Sequence, residues 1–431
     1  MDYTEALILV ISFVVLMGIR VPIAYSIGLS ALLTLVVSIP SLPAMTTLAQ
    51  RMATSLDSFA LLAIPFFILA GQVMNQGGIA RRLIDFAKAI VGPLPGGLAF
   101  VNIMACMLFG AISGSAVAAA SAIGGFMNPM MEKEGYDKSF SAAVNITSAT
   151  TGLIIPPSNI LIIYSLASGG VSIAALFLAG YIPGILIGLA LMLVAGVYAW
   201  MKKYPTAKSV GIGVFFKRFL DALPSLLLLV VVIGGIVAGI FTATEASAVA
   251  VIYTFILAFA YKEIELKDVP SILLETTKTT AIVMLLIATS VAMSWVMSYE
   301  SIPQEISAGL LGISNNPIVI LIIINLILLF VGIFMDMTPA VLIFTPIFLP
   351  IVTQMGIDPI HFGIIMILNL CIGLCTPPVG SVLFVGCGVA NLKIQQVVRP
   401  LLPLFIAMLV VLMIITYVPE LSVWVPELFG F

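Results

Sequence analysis

The sequence predicts an all-α polytopic membrane protein that is built from two inverted-topology repeats, and three observations lead to this prediction. Apolar stretches long enough to cross a bilayer recur from one end of the 431-residue chain to the other. Hydrophobic residues make up 62% of the chain and charged residues 8%, far below the charge of a soluble domain. A proline pair interrupts one apolar stretch in each half, at Pro156-Pro157 and at Pro377-Pro378.

The proline pairs lie 221 residues apart, and other residues that determine backbone shape repeat at the same spacing. A shift of 221 residues superposes Gly152 on Gly373, Pro129 on Pro350, Gly135 on Gly356 and Asp137 on Asp358. Because glycine and proline determine where a chain breaks or turns, this register indicates a structural repeat. We assign residues 1–210 to the first repeat, residues 211–221 to a cytoplasmic linker and residues 222–431 to the second repeat.

Each repeat contains a stretch that is expected to turn back inside the membrane. Residues 98–131 have the small, polar tip Ser113-Gly114-Ser115, with about 14 residues on either side, or roughly 20 Å of helix. Because crossing the hydrocarbon needs ~30 Å, the two limbs form a re-entrant hairpin. The second hairpin covers residues 316–354, with the tip Asp336-Met337-Thr338.

A broken helix follows each hairpin, over residues 139–168 and 359–389, and ordinary spans surround these elements. Proline removes a backbone donor and displaces the preceding residue from the helix, so each proline pair ends one helical limb at membrane depth. Such a break persists only inside protein or beside a wet cavity. The remaining predicted helices cover residues 4–18, 22–39, 43–55, 57–76, 78–91, 173–201, 222–240, 245–261, 275–298, 301–313 and 400–418.

Two interrupted helices at corresponding positions are typical of the binding site of a secondary transporter. The basic residues support the inverted arrangement, because all 17 except Arg51 fall on one side of the membrane when the predicted spans are counted. By the positive-inside rule this side is the cytoplasm. The first hairpin then opens from the cytoplasm and the second from the periplasm.

Three motifs make the chain similar to one family, the large membrane subunit (DctM type) of tripartite ATP-independent periplasmic, or TRAP, transporters. The motifs are Gly239-Ile240-Phe241-Thr242-Ala243-Thr244-Glu245-Ala246, Ile154-Ile155-Pro156-Pro157-Ser158 with Ile162-Ile163-Tyr164, and Thr376-Pro377-Pro378-Val379-Gly380 with Leu383-Phe384-Val385. Ala243 departs from the proline that the family usually has at that position. The resemblance covers essentially the whole chain.

The resemblance implies sodium-driven uptake of an organic acid, of the C4-dicarboxylate or sialic acid type, across the bacterial inner membrane. It implies an elevator-type ion transporter fold, in which the hairpins and broken helices move together against a scaffold. It also implies two partners: a small four-helix membrane subunit and a soluble periplasmic substrate-binding protein. Membrane lipid surrounds the spans, and the chain has no basic run that would indicate nucleic acid.

A helix that stops inside the membrane exposes its last carbonyl groups, which carry partial negative charge. We expect one Na⁺ between each hairpin tip and the break of the same repeat, where oxygen atoms would surround a small, hard cation. The predicted ligands are Ser113, Gly114, Ser115, Gly152, Ile155 and Pro157 in the first repeat, and Asp336, Met337, Thr338, Gly373, Thr376 and Pro378 in the second. Alternatively, the serine and threonine side chains only satisfy backbone groups freed at the kinks.

Asp336 is the most informative single residue in this set. A carboxylate near the bilayer centre costs at least ~2.5 kcal/mol, so we expect it to have a partner. Either Asp336 binds or tunes a cation, or it reaches a wet periplasmic cavity.

The cargo is expected to be an anion, because the second limb of each broken helix begins with its positive dipole end and with polar donors. No Arg or Lys maps to this depth, so neutral groups would bind the anion. The predicted contacts are Ser113, Ser115, Ser158, Asn159, Asp336, Thr338, Gly380 and Ser381.

Other residues have simpler interpretations than a place in the transport site. Glu245 is expected to cap a helix, His361 to face the surface, and Cys371 and Cys375 to be apolar packing residues rather than a metal pair.

A channel fits two different hairpin tips less well than a carrier does. The chain lacks the motifs of an enzyme, with one His and no HExxH or GxSxG. A single-component sodium/anion symporter of related architecture remains the alternative.

Overall fold

The computed structural model describes residues 4–205, 211–314 and 316–431, and the regular secondary structure within these ranges is helical. Eight helices in the described part of the chain are long and apolar enough to cross a membrane. The predicted all-α class is therefore confirmed.

The described residues of the first half form ten α-helices, most of which begin or end at a glycine, a proline or a polar cap. They are α1 (Thr4–Gly18), α2 (Ile23–Ser38), α3 (Ser41–Ser55), α4 (Ala63–Gln76), α5 (Ile79–Val91), α6 (Gly97–Ser113), α7 (Ala116–Lys133), α8 (Lys138–Ala149), α9 (Asn159–Ala167) and α10 (Ile173–Lys202). Short 3-10 turns at Phe59–Leu62 and Thr151–Leu153 precede α4 and follow α8.

The described residues of the second half also form ten α-helices. They are α11 (Ile212–Val237), α12 (Ala243–Ala260), α13 (Val269–Tyr299), α14 (Ile302–Ile313), α15 (Pro317–Phe334), α16 (Met337–Gln354), α17 (Pro359–Gly373), α18 (Ser381–Val389), α19 (Ile394–Tyr417) and α20 (Glu420–Leu428). A 3-10 turn at Leu266–Asp268 precedes α13. Both ends of α16 lie 221 residues after the ends of α7, since 337 − 116 and 354 − 133 both equal 221.

The helices pack into two groups, with the two lateral helices between them. The hairpin body consists of α6–α10 and α15–α20, and the support body consists of α1–α4 and α11–α13. The lateral helix α5 contacts α6 and α11, and α14 contacts α16 and α13, so each of them joins the two bodies. The bodies also touch directly where α4 meets α6 and where α13 meets α16.

The two broken helices pack against each other at the centre of the hairpin body. The Tyr164 hydroxyl donates a hydrogen bond to the carbonyl of Pro359 at 2.6 Å, across the two halves of the chain. The Tyr164 ring lies over Gly363, where a larger residue would collide with it. The Cys375 thiol lies 3.4 Å from the carbonyl of Ile146. The described cysteines are buried, free thiols packed in this way.

Several local boundaries differ from the prediction. Helix α11 begins at Ile212 rather than at residue 222, so it includes most of the predicted linker 211–221, and the Phe219 ring packs on Phe86 of α5 with centroids 5.7 Å apart. The cytoplasmic position of this segment stays a prediction. The predicted span 400–418 begins at Ile394, because Gln396 caps the backbone amide of Lys393 at 2.9 Å before the first proline. The helix α20 was not predicted.

The prediction that His361 faces the surface is wrong, because His361 is buried. Its Nε2 lies 3.4 Å from the carbonyl of Thr416, near the end of α19, and α20 packs against the same helix α17. A residue in the first turn of a helix is covered here by the chain's C-terminal segment, whose position the local sequence does not indicate.

Candidate functional site

The first helix break is closed by a hydrogen bond within the broken helix itself. α8 ends at Ala149, a 3-10 turn follows, and helical structure resumes at Asn159. The Pro156-Pro157 bond is cis, as is the Pro377-Pro378 bond in the second half. The hydroxyl of Ser158 donates to the carbonyl of Leu153 across the break. This bond satisfies one of the carbonyl groups that the interrupted helix leaves free.

The second break is closed by hydrogen bonds within the broken helix and by one carbonyl group of the adjacent hairpin. The amide N of Gly380 donates to the carbonyl of Ile333 in α15 at 3.1 Å, and the amide of Leu383 donates to the carbonyl of Leu374 at 3.3 Å. The Thr376 hydroxyl donates to the carbonyl of Ile372 at 2.8 Å. Gly380 has φ +29°, and a Cβ there would lie 2.6 Å from the Leu374 carbonyl oxygen. Only glycine leaves space for this arrangement of carbonyl groups.

Each hairpin touches the break of its own repeat through a pair of glycines. A Cβ built on Gly152 would lie 2.6 Å from the carbonyl carbon of Gly110, and a Cβ on Gly110 would lie 2.7 Å from the Cα of Gly152. In the second half a Cβ on Gly373 would lie 2.6 Å from the Cα of Gly332. These separations are far below the ~3.5–4.0 Å of an ordinary carbon contact. The glycines therefore bring the backbone of each hairpin directly against the interrupted helix.

The two hairpin tips meet at one cavity of about 510 Å³ between the hairpin body and the support body. Seven of the predicted site residues line it, and they come from both tips and from the start of α9: Ser113, Gly114, Ser115, Asn159, Asp336, Met337 and Thr338. The volume is in the range of small-molecule sites. The Nδ2 of Asn159 lies against Gly114, where a Cβ would approach it to 2.8 Å.

Asp336 is the single charged residue among those that line the cavity in the described part of the chain. It lies at the N-cap of α16, with its side chain exposed to the cavity, and no described Lys, Arg or His forms an ion pair with it. The expected partner is therefore not a basic side chain of the described residues. The N-terminus of α16 supplies partial positive charge beside the carboxylate.

The other predicted residues lie behind the tips rather than on the cavity wall. Six belong to the breaks, namely Gly152, Ile155, Pro157, Gly373, Thr376 and Pro378. Ser158, Gly380 and Ser381, predicted as substrate contacts, do not line the cavity in this structure. Ser158 donates within the first break, Gly380 donates to Ile333 of the adjacent hairpin, and the Ser381 hydroxyl is buried with no partner in the described part of the chain. The hydrogen bonds of Ser158 and Gly380 therefore serve to close the breaks and do not face the cavity.

Sequence reasoning missed the wall that the support body contributes. Gln72 and Asn75 of α4 and Thr279 of α13 face the hairpin tips across the cavity. The sequence contains a signal for this wall, because Gln72 and Asn75 lie three residues apart near the end of α4, whose residues before Gln72 are apolar. That signal shows one polar face of α4, but the element that the face meets depends on tertiary packing.

Two hairpins and two interrupted helices that meet beside one cavity, within a bundle of membrane-length helices, form the arrangement of a membrane transporter. The fold resembles the solved structure of the Alcanivorax borkumensis YdaH transporter, with a TM-score of 0.66, 12% identity, and coverage of 89% of this chain and 88% of that one. At this identity the likeness concerns the fold alone.

The family profile described as the tripartite ATP-independent periplasmic transporter, DctM component, matches residues 10–421. The protein YgiK of Salmonella typhimurium is 57% identical over 97% of this chain and 96% of its own. The C4-dicarboxylate TRAP transporter large permease protein DctM of Pseudomonas aeruginosa is 42% identical, with 94% of each chain covered. The chain therefore belongs to the DctM family and is a multi-pass protein of the inner membrane rather than an enzyme.

Other relatives bear the names of different acids or of a fused subunit. The isethionate TRAP transporter permease protein DctMQ of Oleidesulfovibrio alaskensis is 43% identical over 98% of this chain and 67% of its own. A sialic acid TRAP transporter large permease protein from Vibrio cholerae and a 2,3-diketo-L-gulonate one from Escherichia coli match at 40% and 38% identity.

Proposed function

We propose that this chain carries out sodium-coupled, binding-protein-dependent uptake of an organic acid by an elevator mechanism. The observation that carries the proposal is the convergence of both hairpin tips on one cavity whose described wall contains the carboxylate of Asp336 and no basic side chain. An anion that enters beside Asp336 meets charge of the same sign. Cations bound close by would offset this repulsion, and they would thereby couple the entry of the anion to their own.

The cation sites are proposed at the two contacts between hairpin and break. In the first repeat the ligands would come from the Ser113–Ser115 tip and from carbonyl groups between Gly152 and Pro157. In the second they would come from the Asp336–Thr338 tip and from carbonyl groups between Gly373 and Pro378. The glycine pairs support this arrangement, because they bring each hairpin backbone against the helix end that has free carbonyl groups.

The division into two bodies supports movement of the hairpin body against the support body. The cavity lies beside Asn75, close to the end of α4, and beside Thr279, in the first half of α13. The charge distribution assigns both of these helix ends to the cytoplasmic side, where Arg81, Arg82 and Lys267 lie. The arrangement therefore corresponds to a carrier that is open toward the cytoplasm, and the inverted orientation of the repeats stays a prediction.

Two partners belong to the proposal, a small four-helix membrane subunit and a soluble periplasmic substrate-binding protein. The tripartite family description and the fused name of the Oleidesulfovibrio relative support the first, and the word periplasmic in the family description is consistent with the second. The names of the relatives support an organic acid as cargo, with C4-dicarboxylates and sialic acid as the first acids to test.

The test is uptake of labelled succinate and labelled sialic acid into proteoliposomes that contain the chain and its small membrane subunit. With the binding protein outside, an inward Na⁺ gradient should drive accumulation and an equal K⁺ gradient should not. Omission of the binding protein should abolish uptake. Uptake that persists without it would favour the single-component symporter, and equal uptake in K⁺ would refute sodium coupling.

A further inference from the structure

We propose that Gln72 and Asn75 of α4, with Thr279 of α13, form a subsite that binds hydroxyl groups of the transported acid. The cargo class would then be a polyhydroxylated monocarboxylate, such as a sugar acid. This inference rests on the proposed transport function and adds to it, because the subsite lies on the support body rather than on the hairpins.

The position of α4 places these side chains opposite the hairpin tips. Gly71 lies so close to the first tip that a Cβ on it would be 2.9 Å from the carbonyl oxygen of Ser113. Gln72 is the next residue, and Asn75 follows it by one helical turn on the same face. Both line the cavity, where Gln72 is half-buried and Asn75 is exposed.

The chemistry of these groups suits hydroxyl ligands. Each amide offers two N–H donors and an acceptor oxygen, and neither Gln72 nor Asn75 has a side-chain hydrogen-bond partner in the described part of the chain. The hydroxyl of Thr279 donates to the carbonyl of Glu275 at 3.0 Å, which leaves its lone pairs free to accept. A hydroxyl group both donates and accepts, so it can pair with all three.

The charge of the cavity favours one carboxylate on the cargo over two. Asp336 already places one negative group in the described wall, with no basic side chain beside it. For the same number of bound cations, a second carboxylate on the cargo would add repulsion, whereas hydroxyl groups add hydrogen bonds without adding charge. A site that has placed polar groups for a substrate hydroxyl also rejects an analogue lacking it, because those groups lose their partners.

The alternative is that water simply solvates the amides at the mouth of the cavity. The two explanations differ in what a hydrocarbon chain of the same length and charge would do. D-gluconate and hexanoate provide this comparison, because both have six carbons and one carboxylate and only gluconate has hydroxyl groups along the chain. A hydroxyl-binding subsite predicts a preference for gluconate that depends on Gln72 and Asn75.

The experiment measures binding of D-gluconate and hexanoate to the purified full chain in Na⁺ by calorimetry. Gln76→Leu is the matched control, because Gln76 is an exposed amide on the same helix that does not line the cavity. The wild type and Gln76→Leu should bind gluconate more tightly than hexanoate. Gln72→Leu and Asn75→Leu should each reduce this preference by about tenfold, which corresponds to the loss of one hydrogen bond.

Asn75→Gln retains an amide and should retain the preference, which separates loss of the subsite from loss of folding. The unfolding temperature of each variant without ligand provides the second check. Equal binding of the two acids by the wild type, no binding of either acid, or an unchanged preference in folded Gln72→Leu and Asn75→Leu would overturn the subsite. Sodium-driven uptake measured separately would then still support the transport function, and its absence would refute that function instead.

Discussion

Replacement of Gly152 by alanine should separate the first hairpin from the first helix break. The Cβ of the new residue would lie 2.6 Å from the carbonyl carbon of Gly110 and 2.9 Å from the amide N of Ala111. Ordinary carbon contacts lie at ~3.5–4.0 Å, so the two backbones must move apart by about 1 Å. Both obstacles are backbone atoms, which cannot change rotamer to make space.

The cost should be at the upper end of the range for overpacking, about 3 kcal/mol. Thermal unfolding of the purified protein in detergent measures it. The second half provides a graded comparison, because a Cβ on Gly373 would approach Gly332 to 2.6 Å, whereas a Cβ on Gly332 would approach Gly373 to 3.0 Å. Gly373→Ala should therefore destabilise more than Gly332→Ala.

Gly388→Ala is the control, because Gly388 is an exposed helical glycine with no atom within 4 Å of a built Cβ. This substitution should leave the unfolding temperature unchanged or raise it, since alanine favours a helix by up to about 1 kcal/mol over glycine. If Gly152→Ala is as stable as Gly388→Ala, the direct backbone contact between hairpin and break does not exist as described.

Three further predictions concern other parts of the molecule. Asn369→Leu should cost about 1–3 kcal/mol in thermal unfolding, because the buried amide of Asn369 donates to the carbonyl and side-chain oxygens of Asn325 at 2.9 and 2.6 Å. Arg82→Lys should change the free energy of unfolding by no more than about 1 kcal/mol in thermal unfolding. Although the Arg82 guanidinium lies 3.6 Å over the ring of Tyr261, the site is partly exposed, which weakens this cation–π contact. Burial raises the pKa of the Tyr136 phenol. The phenolate absorbance that Tyr136→Phe removes should therefore appear at higher pH in the folded protein than in the unfolded protein.

The elements that cross or re-enter the membrane were predictable because each rests on a local rule. Proline cannot continue a helix, so Pro156 and Pro377 mark the breaks without knowledge of the fold. The short stretches on either side of Ser113–Ser115 predict the first hairpin, and the 221-residue repeat extends this prediction to Asp336–Thr338. Length alone would not have predicted the second hairpin, because α15 and α16 are each long enough to cross a membrane. The helices α6, α7, α15 and α16 lie close to the ranges expected from this argument.

The parts that were not predictable depend on which surfaces meet. Gln72 is recognisable as a polar residue in an apolar span, but its position opposite the hairpin tips follows from the packing of α4 on α6. His361 lies where the local pattern favours exposure, and the C-terminal helix covers it. Ser158 has the chemistry of a ligand, yet its hydroxyl closes the break by bonding to Leu153. For Gln72 and His361 a contact from a distant part of the chain determines the outcome, whereas for Ser158 it is a hydrogen bond to a residue five positions earlier.

The most direct test of the proposed coupling is the binding of radioactive ²²Na⁺ to the purified chain. Asp336→Asn removes the cavity carboxylate while keeping the shape of the side chain, and Asp57→Asn makes the same change at an exposed position outside the cavity. The wild type and Asp57→Asn should both bind Na⁺ saturably. Folded Asp336→Asn should lose one of the two proposed ions or bind it far more weakly. Equal Na⁺ binding by all three proteins, in number and affinity, would contradict the role assigned to Asp336.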